Sequence, residues 1–181
     1  MTFQPFHYIP QSYKSQILFT QAHHILAAPH AQVPVSTIPR RTNHWCFYLA
    51  TSPTTSVALD CQPSHTVPGS ILRDGSKAYV ILSELNTTAG PDALLEHAVV
   101  LDVKPGLTVR DVVDVLVEEG RERYEFDKDG VGCRFWVTGQ LELLLQAGVL
   151  VDHVQVEEAM GAVQRLWPEG VDLMLDQGAY Y

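Results

Sequence analysis

Two neighbouring runs, Asn43–Ala50 and Ser56–Cys61, constrain the fold more than any other part of this chain. Both are rich in aromatic and branched residues. The segment between them, Thr51-Ser52-Pro53-Thr54-Thr55, has the length of a hairpin loop. Successive side chains of a strand point to opposite faces. Trp45, Phe47, Leu49, Val57 and Leu59 therefore share one uniformly apolar face. His44, Cys46, Tyr48, Ser56, Ala58 and Asp60 share the other. Antiparallel pairing about the loop sets His44 opposite Asp60, Cys46 opposite Ala58 and Tyr48 opposite Ser56. One face of the hairpin is then core, and the other presents an imidazole beside a carboxylate. Such a carboxylate fixes the ring's tautomer and stabilises its charged form.

The rest of the chain predicts an α+β fold, an antiparallel sheet packed with helices. Gln16–Ile25 carries an apolar pattern open between a strand and a short helix. Pro29–Arg41 holds three prolines and reads as an irregular connection. Gly69 and Gly75 bracket a short strand, and Ala78–Leu85 and Ala98–Val103 are further strands joined through a loop over Asn86–Asp92. At Thr108 a hydroxyl precedes Asp111 by three residues, the signature of a capped helix start. That helix runs to about Glu119, buries Val112, Val113, Leu116 and Val117, and stops at Gly120. Tyr124–Phe126 is a short extended piece and Asp127–Gly132 a turn. A second helix follows over Cys133–Gly148 with Val137, Leu141, Leu144 and Leu145 inward, and a third over Val154–Leu166. The tail beyond Gly170 reads as peripheral. The expected organisation is one domain over 1–181: an N-terminal extension (1–42), a core (43–150), and a C-terminal helix with its tail (151–181).

A net charge of −9 argues against nucleic acid, whose binders cluster Lys and Arg, and against an anionic membrane surface. No apolar stretch approaches the length of a spanning helix. The first ten residues do not resemble a secretory leader. The three cysteines have neither zinc-finger nor CxxC spacing. A cytoplasmic location with free thiols is the expectation.

Cys133 follows Gly130-Val131-Gly132 and opens a predicted helix. There the helix dipole lowers a thiol's pKa, and exposed N–H groups can hold an oxyanion. A buried cysteine acting as a small hydrophobe is the plainer reading of that residue alone. Together, the run His44-Trp45-Cys46-Phe47-Tyr48-Leu49, the strand ending in Asp60, and Gly120-Arg121-Glu122-Arg123-Tyr124 leading to Gly132-Cys133-Arg134-Phe135-Trp136 resemble the lecithin–retinol acyltransferase family. That family belongs to the circularly permuted NlpC/P60-like (papain-like) cysteine enzymes. The resemblance implies that Cys133 is the nucleophile, His44 the general base and Asp60 the orienting group. The chain departs from the family in three places. Asp60 stands where a His is usual, Gly132 replaces Asn, and Arg134-Phe135 replaces Glu-His.

The implied function is thiol-dependent acyl transfer, as hydrolase, acyltransferase or cyclase, on a small soluble amide, ester or thioester. A second resemblance, to small fungal proteins of unassigned function, points toward secondary-metabolite biosynthesis. The alternative is a non-covalent binding protein, or a cyclase working by shape around an aromatic pocket on the same fold. Trp45, Tyr48 and Trp136 are the candidate substrate-binding side chains, with Arg41 as a contact for a substrate carboxylate. Cys46 is expected to be a pocket wall rather than a second thiol. His23-His24, with His7, His30 and His65, lack ligand spacing, so neither a metal nor another cofactor is expected. The oligomeric state is left open.

Overall fold

The hairpin forms, but two residues out of the expected register. In the computed structural model, which describes residues 3–35 and 39–181, the strands are β3 (Arg41–Ala50) and β4 (Ser56–Pro68). Ala50 faces Ser56, Tyr48 faces Ala58 and Phe47 faces Leu59. A shift of two keeps every side chain on its predicted face, because the strand period is two. The loop explains the shift. The Thr51 and Ser52 amides both donate to the Thr55 carbonyl, which closes the turn symmetrically about Pro53.

Around this pair the chain builds a curled, mainly antiparallel sheet in the order β10-β7-β5-β4-β3-β2-β6. Its other members are β2 (His24–Pro34), β5 (Ser76–Leu85), β6 (Val99–Asp102), β7 (Tyr124–Phe126) and β10 (Ala179–Tyr180). β1 (Phe6–Ile9) lies parallel to β5, on the edge that β7 uses further along. A two-stranded ribbon, β8 (Arg165–Leu166) with β9 (Val171–Asp172), stands apart. Among the described residues there are four helices: α1 (Lys14–Phe19), α2 (Val109–Glu118), α3 (Cys133–Gln146) and α4 (His153–Val163). None is long and apolar enough to cross a membrane.

The predicted apolar face of the hairpin is the main core. Trp45, Phe47, Leu49, Val57 and Leu59 pack with Val112 and Leu116 of α2, Trp136, Val137, Leu141 and Leu144 of α3, and Val156 and Ala159 of α4. The Phe47 and Trp136 rings lie 6.3 Å apart. Each such side chain contributes about 1.5–3 kcal/mol on burial. A smaller cluster, Ala28, Cys46, Tyr48, Ala58 and Ala89, covers the opposite face. The α2 start has the expected capping box: Asp111 N–H donates to Thr108 Oγ1, and Thr108 N–H donates to the Asp111 carboxylate. Val117 turns outward instead and is 46% exposed, while Val109 takes the inner position.

Four other expectations need correction. The ambiguous stretch after Gln16 holds both elements, the end of α1 and the start of β2. Of the stretch Pro29–Arg41, Pro29–Pro34 continue β2 and Arg41 opens β3, while 36–38 lie outside the described residues. β6 flanks β2 only as far as Ala27, so Pro29 sits where no neighbouring strand needs its missing N–H. The predicted N-terminal extension thus contributes two strands, β1 and β2, to the sheet. The segment between Gly69 and Gly75 is a turn, not a strand, and the Glu125 carboxylate holds it by accepting from the Ser70, Ile71 and Leu72 amides. The tail is not peripheral: β10 pairs with β7, and a Cβ at Gly178 would fall 1.9 Å from Tyr124 Oη.

Candidate active site

β3 and β4 part company beyond Phe47 and Leu59. β3 continues along β2 to the Pro34–Arg41 pair, while β4 continues along β5 to the Pro68–Ser76 pair. The N-terminus of α3 enters this opening, and Cys133 Sγ lies 3.9 Å from the Asn43 carbonyl oxygen. The turn before it requires glycine at 132. Its φ is +142°, and a Cβ there would meet Tyr124 Oη at 3.1 Å. Tyr124 in turn donates to the Gly132 carbonyl at 2.8 Å, which pins the start of the helix.

His44 lies at the centre of the site. Its Nε2 is 2.5 Å from Asp60 Oδ1, a diagonal contact across the widening strands. The other carboxylate oxygen accepts from Gln62 Nε2 at 2.5 Å. Cys133 lies near enough for its charge and that of His44 to act on one another, and Nδ1 is the ring nitrogen that Asp60 leaves unengaged. Burial alone would lower the His44 pKa, but the charges of Asp60 and Cys133 outweigh it and raise it well above the ordinary imidazole range. Burial alone would raise Asp60, yet the His44 charge and hydrogen bond, with that of Gln62, bring it below the usual carboxylate range. Cys133 follows the same logic. Burial pushes the thiol up, while the His44 charge and the Trp45 N–H bring it down overall. Cys46 and Cys61 have no such partner, and burial drives both thiols well up.

Cys133 and His44 both line a cavity of about 110 Å³, together with Val33, Pro34, Thr42, Asp129, Gly130–Gly132, Arg134 and Asp176. The first-turn N–H groups of α3 have no intrahelical acceptor and point toward this side. The arrangement suits a thiolate–imidazolium pair oriented by a carboxylate, with backbone donors nearby for a developing oxyanion. Among the described residues no three His, Cys, Asp or Glu side chains gather in a metal-holding group.

The structure therefore brings Cys133, His44 and Asp60 together, but it sets the predicted substrate-binding residues elsewhere. Trp45 and Trp136 are fully buried in the main core, because they lie on the apolar face of β3 and the inner face of α3. Tyr48 is buried in the smaller cluster, where its hydroxyl meets His30 Nε2 at 2.7 Å. Arg41 is exposed at the start of β3 and does not line the cavity. Cys46 is not a cavity wall either; its Sγ donates to backbone carbonyls where the strands part.

Several residues of the site carried no sequence signal. His30 stands edge-on to His44 with ring centroids 5.3 Å apart, and it comes from the bulged stretch of β2. Its position beside Tyr48 was visible only once the β2–β3 register was known. Arg134 is 2% exposed and donates to the carbonyls of Val163, Leu173 and Met174, tying the helix that bears Cys133 to the tail. Asp176 bridges Arg134 and Arg40.

No curated protein and no solved structure matches this chain significantly. A family profile does match, over residues 24–181, which begins at the first residue of β2 and includes every residue of the site just described. The chain belongs to the family defined by a domain of unknown function, DUF7770.

Proposed function

We propose that this protein is a thiol-dependent acyl-transfer enzyme on a permuted NlpC/P60-like scaffold related to the lecithin–retinol acyltransferases. Cys133 is the nucleophile, His44 the acid and base, and Asp60 the orienting group. One observation carries the reading: a single imidazole, His44, is held by a carboxylate on one nitrogen and lines the same cavity as the helix-start thiol of Cys133. The order along the chain, His then carboxylate then Cys, supports the permuted relationship.

The thiolate of Cys133 attacks the acyl carbon, forming the C–S bond while the carbonyl π pair moves to oxygen. The Cys133 N–H stabilises that oxyanion. As the carbonyl re-forms, the bond to the leaving N, O or S breaks, and the leaving group takes the proton from His44. Neutral His44 then removes a proton from water, an amine or an alcohol as that group attacks the thioester. Product leaves, and the thiolate–imidazolium pair is restored. The cavity admits a small amide, ester or thioester, as in secondary metabolism, with the remainder of a larger substrate outside.

Iodoacetamide labelling across pH, read peptide by peptide, tests this. Cys133 is expected to label with a midpoint well below the ~8.5 of a free thiol. Cys46 and Cys61 act as internal controls and stay unlabelled in the folded protein. Cys133→Ser abolishes acylation by a p-nitrophenyl ester. If Cys133 labels only near the free-thiol value, or Cys133→Ser retains activity, the protein is instead a non-covalent binder or shape-driven cyclase.

A further inference from the structure

Asp176 is outside the trio of Cys133, His44 and Asp60, yet its carboxylate stands in the wall of the same cavity. It arrives there from the C-terminal tail, beyond β9. Two guanidinium groups fix it in place. Arg40 donates to Oδ1, and Arg134 stands 3.6 Å from Oδ2. A 3.6 Å separation is an ion pair without hydrogen-bond geometry, so Oδ2 retains acceptor capacity. The side chain is 17% exposed.

Arg134 lines the cavity as well, but it is buried and donates to three backbone carbonyls, and Arg40 is not among the lining residues. An ionised carboxylate only accepts hydrogen bonds. A fixed acceptor of this kind beside a reactive thiol discriminates among acyl donors by what they donate to it. The net charge of −9 adds a general attraction for cations.

We infer that Asp176 is the specificity residue of this site and takes an acyl donor bearing an ammonium or N–H group, which donates to Oδ2 while the carbonyl lies at Cys133. The inference rests on the thiol reading above and names its substrate class.

The test compares p-nitrophenyl esters in isosteric pairs: glycine with propionate, and β-alanine with butyrate. Each pair exchanges an ammonium for a methyl group. Rates are taken at about pH 6, where the amines are charged, and divided by the same ester's rate with a small free thiol. In at least one pair the amino ester is expected to exceed its methyl partner in kcat/KM by about tenfold or more, mainly through KM. Asp176→Asn and Asp176→Ala bring that ratio close to one, and Arg40→Gln lowers it by a smaller factor. Equal normalised rates in the wild-type protein for both pairs overturn the inference without any variant. So does a ratio that survives Asp176→Ala. If no ester acylates Cys133, the thiol reading fails and this inference with it; acylation without discrimination removes the inference alone.

Discussion

The two ends of the β3–β4 hairpin have nearly the same ingredients and opposite fates. Near the loop the strands pair, and Leu49, Val57 and Leu59 are sealed in the core. At the far end each strand keeps its other neighbour but loses its hairpin partner, and a gap opens. There the side chains of His44 and Asp60 are partly exposed, 23% and 14%, and find each other diagonally. Pairing turns alternation into a core, whereas parting turns the same alternation into a pocket. Cysteine chemistry divides along the same line. Cys61, on the core side, has only burial and neighbouring negative charge to act on its thiol, while Cys133 meets an imidazolium.

The sharpest way to break this contrast is to remove His44. His44→Ala is expected to lower Cys133 acylation by about a thousandfold or more, because both the thiolate's counter-charge and the proton carrier are lost. The thermal midpoint should fall less than for a core truncation, since Asp60 loses its partner but no core side chain is removed. At the closed end the effects reverse. Phe47→Ala is expected to cost about 3–5 kcal/mol, the usual range for a large aromatic removed from a core. Chemical denaturation measures that loss, while the labelling midpoint of Cys133 in the fraction still folded stays in place. A large stability loss for His44→Ala, or a displaced labelling midpoint for Phe47→Ala, contradicts the division.

The two ends were unequally legible in the sequence. Face assignment needs only the period of two, so the core side of the hairpin was readable from Trp45, Phe47 and Leu49 alone. The Thr108–Asp111 cap was readable for the same reason: its partners are three residues apart. Register was not, because the turn geometry of Thr51–Thr55 decides it, and the two-residue shift converted a directly opposed His44–Asp60 pair into a diagonal one. Trp45, Tyr48 and Trp136 carry no local mark that separates core from pocket, because aromatics line both. Only packing against α3 and the smaller cluster distinguishes the two. Arg134 and Asp176 depend on the tail folding back across the start of α3, and nothing local in either segment signals a partner some forty residues away.

Asp60 tests whether the open end works as a unit. Asp60→Asn keeps the shape and removes the charge. The carboxylate holds the His44 pKa up, so its loss lets that pKa fall, and the alkaline limb of the activity profile moves to lower pH. The same carboxylate pushes the Cys133 thiol up, so its loss lets that pKa fall too and the acid limb moves to lower pH. Both limbs of the active window move to lower pH, and the maximal rate drops by about a hundredfold. A pH–rate profile of Asp60→Asn checks the direction of each limb. An unmoved alkaline limb would mean that Asp60 does not control the imidazole.

The smallest effect belongs to the point where the strands separate. Cys46 faces the same side as His44, two residues along β3, and its Sγ donates to the Leu59 carbonyl at 3.4 Å, at the last paired position. It is buried, touches Ala28 and Ala58 in the smaller cluster, and does not line the cavity. Cys46→Ala removes one sulfur and one weak hydrogen bond, a loss of about 1 kcal/mol. The Cys133 labelling curve should be superimposable on that of the wild-type protein, because the remaining Phe47–Leu59 and Tyr48–Ala58 pairs still set where β3 and β4 part. A shift in that curve would show that the thiol at the fork, and not the backbone pairing, fixes the width of the opening in which His44 meets Cys133.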